Sequence, residues 1–471
     1  MDSAIANVDL GRYRRIVQMF WDPEPVNDMN LDQPVWCLGC VYSLSAKENT
    51  TERPEAQEKS LVAEKKSTRE DRILDMSGDK ADTTAMMNTN NANLQEPSLS
   101  PGGMSSFLTS NDERVSGAGW PLAFLQDFDA RFWMTYRSNF PVIAKSASPG
   151  ATAALSLSMR VRSQLVDEEG FTSDSGWGCM IRSGQSLLCN AMAVLNLGRG
   201  WRRGALPDKE RHLISLFADD LRAPYSIQNF VKNGEKLCGK FPGEWFGPSA
   251  TACCIQALVN SREPQLRVYF TGEGPDVYQD SFMKIAKPEG EDFHPTLILV
   301  GTRLGIDKVT PVYWEALIAS LQMTQSVGIA GGRPSSSHYF VGSQGHFLFY
   351  LDPHHTRKAL PYHKDVIRYT KEDIDTCHTS RIRKIHVREM DPSMLVGFLI
   401  QNEEDWFEWK RCVKHVQGKS IINVADRHPA NDQQSISGRS IFDEVEPLSD
   451  NEEAGTIRPA QGNEASGNVI A

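Results

Sequence analysis

Apolar side chains recur at helical spacing along four stretches of this sequence. The clearest stretch begins at Cys179, and its apolar positions are Ile181, Leu187, Leu188, Met192 and Leu195. Polar residues separate these positions, which is the pattern of a helix with a buried face. We therefore predict helices over residues 179–196, 209–221, 249–261 and 311–322.

Later in the chain the pattern changes to short runs of β-branched and aromatic residues, which are typical of strands. The clearest strands are predicted at residues 266–271, 296–301, 338–344 and 346–352. A turn at Gly345 separates the last two, so we expect them to form a hairpin. A helix early in the chain followed by an antiparallel sheet predicts an α+β fold.

Two segments lack the residues from which a core is built. Residues 46–118 contain one aromatic residue, Phe107, and residues 416–471 contain only Phe442. Segments of this composition bury too little apolar surface to offset the entropy of ordering the chain, so we expect both to be disordered. The predicted ordered domain then consists of residues 1–45 and 119–415.

The chain has 471 residues, of which 40% are hydrophobic, and a net charge of −10. These values are typical of a large globular protein, and the acidic balance argues against a nucleic-acid partner. The N-terminus has no apolar signal segment, and apolar runs such as residues 296–300 are too short to cross a bilayer. Nine cysteines at irregular spacing indicate reduced thiols, so we expect the protein in the cytoplasm, with the nucleus as an alternative.

One pair of cysteines has the spacing of a metal site. Cys37 and Cys40 form a C-x-x-C motif, but no second pair of ligands follows at a usable distance. We therefore interpret this motif as part of a buried strand, and Cys253 and Cys254 as core residues of a helix. No metal or other cofactor is expected.

Cys179 lies on a glycine-rich turn that leads directly into the first predicted helix. The unpaired N–H groups and the dipole at a helix N-terminus favour negative charge, so a thiol there ionises more readily than a free one. A nucleophile requires this property. Free cysteine is also among the most buried residue types, so spacing alone leaves a space-filling role open.

A histidine and a carboxylate follow the last predicted strand. In an extended segment, residues two apart face the same side, so Asp352 and His354 would share a face while His355 points away. A carboxylate beside an imidazole fixes its tautomer and stabilises its charged form, as a Cys–His pair requires. The alternative is an ordinary Asp-Pro turn at a strand end.

Several motifs together resemble the autophagin family, the cysteine peptidases of autophagy. They are PVWCLGCVYS (34–43), FLQDFDARFWMTYRSNFPVI (124–143), TSDSGWGCMIRSGQ (172–185), GEWFGPS (243–249), GGRPSSSHYFVG (331–342) and LDPHHT (351–356). The resemblance implies a papain-like fold in which an N-terminal nucleophile helix packs on an antiparallel sheet. It also implies cleavage after the C-terminal glycine of a ubiquitin-like autophagy modifier, both to mature its precursor and to release it from phosphatidylethanolamine.

The resemblance assigns catalytic roles to four residues of this chain. Cys179 matches the nucleophile, His354 the general base and Asp352 the residue that orients it. Tyr136 matches a tyrosine that resembles an oxyanion-hole donor. Its own sequence context, without the resemblance, favours an aromatic residue of the core. Departures from the family pattern are the C-x-x-C pair and the long insertion at 46–118.

Further residues match positions that contact the substrate. Trp245 matches a tryptophan that covers the catalytic groove, and Gly331, Gly332 and Pro334 match a movable lid. In the tail, Phe442 and Val445 lie three residues apart among acids and resemble a short motif that binds such modifiers. A chance pattern in an acidic tail is the alternative for that motif.

Two rival functions remain open at this stage. One is an adaptor that binds the modifier without cleaving it, although an intact set of Cys179, Asp352 and His354 argues against a pure binder. The other is transfer of the acyl group to an amine, which uses the same chemistry. In each case the partner is the modifier, free or lipid-linked, and the place of action includes the site of autophagosome assembly.

Overall fold

The computed structural model of the chain describes residues 24–27, 33–43, 119–165, 169–333 and 336–429. The segment predicted to be disordered, 46–118, and the tail positions Phe442 and Val445 lie outside these ranges. Across the described ranges, no helix is both long and apolar enough to span a bilayer.

The helices of the described residues agree in part with the predicted ones. In chain order they are α1 (Leu122–Asp129), α2 (Ala151–Ala154), α3 (Leu157–Leu165), α4 (Cys179–Leu197), α5 (Pro207–Ser215), α6 (Ile227–Cys238), α7 (Pro248–Arg262), α8 (Gln279–Ala286), α9 (Trp314–Gln322), α10 (Lys371–Asp375) and α11 (Glu403–Lys414). The helices predicted at 179–196, 249–261 and 311–322 are confirmed as α4, α7 and α9, the last preceded by a 3-10 turn at Pro311–Tyr313.

The helix predicted over 209–221 is wrong beyond Ser215, where α5 ends. The amides of Leu216 and Phe217 donate to carbonyls three residues back, so the last turn tightens into 3-10 geometry. Asp219 then leaves the helical path, and its carboxylate binds Arg182 and the amide of Leu360. These tertiary contacts override the apolar pattern of the segment.

The strands form one large sheet and two small ones. They are β1 (Val35–Cys37), β2 (Cys40–Tyr42), β3 (Arg137–Ala144), β4 (Gly170–Ser173), β5 (Arg267–Phe270), β6 (Asp276–Tyr278), β7 (Thr296–Arg303), β8 (Ser326–Arg333), β9 (Ser336–Gln344), β10 (Phe347–Leu351), β11 (Arg357–Lys358), β12 (Lys384–His386), β13 (Ser393–Ile400) and β14 (Asn423–Ala425). The main sheet runs in the order β12, β10, β9, β8, β13, β7, β5, with β1 also paired to β9 and β2 to β1. The small sheets are β11-β3-β4 and β14-β6.

The main sheet is largely antiparallel, as predicted, and the predicted hairpin is confirmed as β9 and β10. Strand β5 is the exception, because it runs parallel to β7. A parallel neighbour requires a crossover connection, and the chain between the two strands contains α8. The sheet is therefore mixed at this edge.

Helices cover both faces of the main sheet. Along β7, Leu297 and Leu299 face a core shared with α4 and α7, whereas Ile298 and Val300 face a second core shared with α8, α9 and α11. Both faces of this strand are buried, which explains why its sequence is a continuous apolar run rather than an alternating one. Helix α4, which begins at Cys179, thus lies in one of two helical layers.

The N-terminal residues join the main sheet at β9. Trp36 pairs with Ser343 and Cys37 with Gly342, so residues far apart in the chain share one sheet. Cys37 is fully buried, which confirms the interpretation of this cysteine as part of a buried strand.

The ordered body continues past the predicted boundary at residue 415. Ile421 and Ile422 are buried in the second core, and β14 runs parallel to β6. The prediction that the tail is disordered from 416 is therefore wrong for residues 416–429. Two adjacent isoleucines supply the burial that this otherwise polar segment needs.

Candidate active site

The turn before α4 is built around the buried carboxylate of Asp174. The backbone oxygen of Asp174 accepts hydrogen bonds from the amides of Trp177 at 3.1 Å and Gly178 at 2.8 Å. Its side chain accepts one from the amide of Arg137 at 2.6 Å. A Cβ atom on Gly178 would lie 2.5 Å from Asp174 Oδ2, so this close approach requires glycine.

A buried arginine locks this turn to the first turn of α4. Arg182 Nε lies 2.7 Å from Asp174 Oδ2, and its terminal nitrogen lies 2.8 Å from Asp219 Oδ1. All three side chains are buried, and a broken pair would leave an uncompensated charge inside the protein. Cys179 is thereby fixed as the first residue of the helix, as the sequence predicted.

Asp352 and His354 meet just beyond the end of β10. Asp352 Oδ1 lies 2.6 Å from His354 Nδ1 and accepts the backbone N–H of His354 at 3.0 Å. The backbone here is a turn rather than an extended strand, so the predicted pairing is present but its predicted geometry is wrong. The Asp352 carboxylate itself closes the turn, as Asp side chains do, and holds the imidazole ring of His354 beside it.

Two contacts with Trp133 also hold this turn in place. Trp133 Nε1 donates to the backbone oxygen of Asp352 at 2.7 Å. The ring of His355 packs edge-on against Trp133, with centroids 5.7 Å apart, whereas His354 packs against Tyr136. The two adjacent histidines therefore face different surroundings, as predicted.

The electrostatics of the site favour a thiolate facing an imidazolium. Burial alone raises the pKa of the Cys179 thiol, but hydrogen bonding with His354 and the positive charge of its ring outweigh burial and lower that pKa. Burial lowers the pKa of His354, but its bonds to Asp352 and Cys179 outweigh this effect and raise the pKa to about 10. Burial also opposes ionisation of Asp352, yet the bond from His354 holds the pKa of Asp352 far below its usual range.

Tyr136 lies beside this pair. Its ring meets the ring of His354 edge-on, with centroids 5.3 Å apart, and the residue is 6% exposed. Burial and the negative charge of Cys179 raise the pKa of the Tyr136 hydroxyl well above its usual value. The phenol therefore keeps its proton and can donate it in a hydrogen bond at the thiol side of the site.

Three residues at the start of β9 also contact the site and were not predicted from the sequence. Ser336 Oγ lies 3.2 Å from His354 Nε2, and the backbone of Ser337 hydrogen-bonds with the Cys179 thiol. His338 is 5% exposed, and its Nε2 atom lies 3.7 Å from Asp352 Oδ1. A serine-rich run before a strand carries no catalytic signature, so no pattern identified them.

Among the described residues, one group has the composition of a metal site. His338, Asp352 and His354 offer ligand atoms that lie within 4.8 Å of one another. Two of these residues already bind each other through the His354 Nδ1 proton, at 2.6 Å. This hydrogen bond accounts for the close approach of Asp352 and His354.

Trp245 lies on the loop before α7 and is 45% exposed, although tryptophan side chains are highly buried on average. The loop is anchored where Gly243 touches the ring of Phe171, and Phe171 packs against Trp177 in the turn before Cys179. The indole is thus presented to solvent by a loop that is coupled to the nucleophile turn.

Gly331 and Gly332 do not form a loop, contrary to the prediction. They belong to β8 and pair with His338 and Ser337 of β9. A Cβ atom on Gly332 would lie 1.8 Å from the backbone oxygen of Ser336, so glycine is needed for the strands to approach this closely. Pro334 lies outside the described residues.

Comparison with known proteins gives the family. A family model of the peptidase C54 catalytic domain matches residues 121–412. The cysteine protease ATG4 of Gibberella zeae is 58% identical over 472 residues, which cover 96% of this chain and 98% of that protein. The probable cysteine protease atg4 of Sclerotinia sclerotiorum is 56% identical, with 95% and 99% covered, and cysteine protease 1 of Neurospora crassa is 51% identical, with 98% and 94% covered. The chain therefore belongs to the peptidase C54 or autophagin family, cysteine peptidases of autophagy with a papain-like fold.

Proposed function

We propose that this protein is an endopeptidase that cleaves after the C-terminal glycine of a ubiquitin-like autophagy modifier. The observation that carries the proposal is the buried thiol of Cys179, whose pKa is lowered beside the imidazolium of His354. A thiolate at a helix N-terminus next to a proton donor is the arrangement of a cysteine nucleophile.

In the first step, Cys179 Sγ attacks the carbonyl carbon of the glycine and forms a tetrahedral oxyanion. His354 then gives its Nε2 proton to the leaving nitrogen, the C–N bond breaks, and a thioester remains on Cys179. Asp352 holds His354 Nδ1 at 2.6 Å, so the ring stays oriented while its charge changes.

In the second step, water replaces the amine. His354, now neutral, takes a proton from the water while the hydroxide attacks the thioester carbonyl. The C–S bond then breaks and Cys179 leaves as the thiolate, facing the imidazolium of His354. The product acid gives its remaining proton to solvent and departs as the glycine carboxylate. The same two steps hydrolyse a peptide bond and an amide to ethanolamine, because the leaving group is a primary amine in both. One site can therefore mature a precursor and release a lipid-linked modifier.

Two donors are available for the oxyanion. The backbone N–H of Cys179 lies in the first turn of α4, where helical amides have no partner within the helix. The Tyr136 hydroxyl keeps its proton and hydrogen-bonds with the Cys179 thiol, so we assign it as the second donor. Preorganised donors of this kind lower the barrier of acyl transfer.

Selection of glycine is assigned to the exposed indole of Trp245. The loop that carries this ring packs through Phe171 against the turn before Cys179, and a flat ring over the cleaved position would most easily admit a residue without a side chain. We place the activity in the cytoplasm, with the nucleus as the alternative, and at the site of autophagosome assembly, where the lipid-linked substrate would be found.

Mass analysis of a modifier precursor that carries extra residues after its glycine tests the proposal. We expect a product that ends at the glycine, and no product with the Cys179→Ala variant as the matched control. A complex without cleavage would favour the adaptor, and a product joined to an added amine would favour acyl transfer. Either result would contradict the proposed hydrolysis.

A further inference from the structure

Strand β9 extends past the end of its neighbour β10. The pairing of these two strands stops where Leu351 lies opposite Tyr339, whereas β9 already begins at Ser336. The same register would bring Pro353 opposite Ser337, but β10 ends before Pro353. Among the described residues, the first part of β9 therefore has β8 as a strand partner on one side and no strand on the other.

The backbone amide of Ser337 points away from β8. The partner of Ser337 in that strand is Gly332, whose backbone oxygen accepts the amide of Asp391 at 2.6 Å. Asp391 precedes β13, which flanks β8 on the side opposite β9. Residues opposed in an antiparallel pair either exchange both hydrogen bonds or direct both groups away from each other. Gly332 and Ser337 form a pair of the second kind, so the Ser337 amide faces the side that β10 leaves open.

On that open side the backbone of Ser337 hydrogen-bonds with the thiol of Cys179. This bond lowers the pKa of the thiol, so it favours the ionised sulfur and must come from a donor, which in a backbone is the N–H group. His354 and the Tyr136 hydroxyl also hydrogen-bond with the same sulfur. Three separate parts of the chain therefore supply donors to Cys179.

The side chain of Ser337 connects the same strand to the first turns of α4. The Ser337 hydroxyl lies 3.1 Å from Ser183 Oγ, 3.2 Å from Met180 Sδ and 3.2 Å from the backbone oxygen of Gly331. Ser183 follows Cys179 by four residues, so the two lie on the same face of the helix. The hydroxyl is buried, and it fixes the distance between β9 and this face of α4.

We propose that Ser337 takes part in catalysis: its backbone N–H stabilises the Cys179 thiolate, and its hydroxyl holds that N–H in position against α4. A hydrogen bond weakens steeply when its angle is lost, so an amide without this anchor is a poorer donor even though it is still present. The effect on rate rests on the proposed hydrolysis, whereas the effect on the thiolate does not involve a substrate.

Ser337→Ala in the full chain tests the role of the hydroxyl. We expect the pH midpoint of Cys179 alkylation by iodoacetamide to rise by about 0.7 unit and kcat to fall about fivefold, the usual size for the loss of one hydrogen bond. Ser183→Ala removes the other end of the anchor and should move the midpoint in the same direction. The double variant should shift it by less than the sum of the two, because both changes break one contact.

The matched control is Ser320→Ala. Ser320 is also a buried serine, and its hydroxyl donates to the backbone oxygen of Leu317 at 2.6 Å within α9, which packs on the other face of the sheet. This variant should lower the urea midpoint of unfolding without moving the alkylation midpoint. An unchanged alkylation midpoint in Ser337→Ala, or an equal shift in Ser320→Ala, would overturn the proposal. The expected shift in a protein that does not hydrolyse the modifier would contradict the proposed function and support the role of Ser337 at the thiolate.

Selective labelling of serine with ¹⁵N provides a test on the unaltered protein, which does not depend on how the variants fold. The Ser337 amide signal should shift when Cys179 is alkylated, because the donor then loses its charged acceptor. The Ser320 amide signal should stay in place. A Ser337 signal that does not respond to alkylation would also overturn the proposal.

Discussion

Cys179 and Cys189 lie on the same helix, and both are buried. The pKa values of their thiols are nevertheless shifted in opposite directions from that of a free thiol. Burial raises the pKa of Cys189 well above its ordinary value, and the neighbouring Cys377 raises it further. At Cys179 the same burial is outweighed by hydrogen bonding with His354, and the pKa falls. The difference shows that a specific partner, rather than exposure or helix position alone, lowers the pKa of the proposed nucleophile.

The largest expected effect separates the two cysteines directly. Cys179→Ala should reduce cleavage by more than about 10⁴-fold, because no other group can form the thioester. Cys189→Ala should leave kcat/KM within about twofold and lower stability by about 1 kcal/mol, as for a typical buried substitution. Steady-state kinetics and urea unfolding of both variants measure these effects. Equal losses of activity would remove the distinction between the two thiols.

The next comparison separates the two adjacent histidines. His354→Ala should cost about 10³-fold or more in kcat, because the thiol loses its proton acceptor and the leaving amine its proton donor. His355→Ala should change kcat by less than about tenfold, since its ring packs on Trp133 and makes no bond to Cys179 in the described structure. Comparable losses in both variants would contradict the turn geometry around Asp352.

A smaller effect is expected at the oxyanion. Tyr136→Phe keeps the ring that packs on His354 but removes the hydroxyl, so kcat should fall by about 10²-fold, in the range measured for the loss of one oxyanion donor. Alkylation of Cys179 at neutral pH should fall by less than kcat, because the lost hydroxyl is only one of the groups that lower the thiol pKa. A fall in alkylation as large as the fall in kcat would assign Tyr136 to activation of the thiol instead.

The smallest effect is expected at the exposed tryptophan. Trp245→Ala should lower kcat/KM on the natural substrate by about tenfold and narrow the preference for glycine over alanine at the cleaved position. Phe407→Ala, at another exposed aromatic residue, is the control. Unchanged selectivity at Trp245 would mean that another part of the site selects glycine.

Helix α4 and the β9–β10 hairpin could be predicted from the sequence because their local patterns agree with their tertiary environment. The central strands β8 and β13 could not, because glycines interrupt their patterns at positions such as Gly331 and Gly397. Those glycines are required by close contacts with neighbouring strands and side chains, which only the assembled sheet reveals.

Within the candidate site, the pairing of Asp352 with His354 followed from their spacing, but the turn that joins them did not. The approach of Ser336 and His338 depends on how β9 lies against β10, a contact between separate strands that carries no local signal. The ordered residues 416–429 were missed because two isoleucines are too few to mark a segment as part of a core.

The pH dependence of alkylation of Cys179 by iodoacetamide tests the central claim most directly, since this uncharged reagent reports the thiolate alone. The account predicts that the labelling midpoint lies below about 8.5, the value of a free thiol. We also predict that His354→Ala moves the midpoint upward, because the two largest interactions that oppose burial are then lost and only the Ser337 backbone and the Tyr136 hydroxyl still lower the thiol pKa. The same midpoint in the parent and the variant would contradict the thiolate–imidazolium pair.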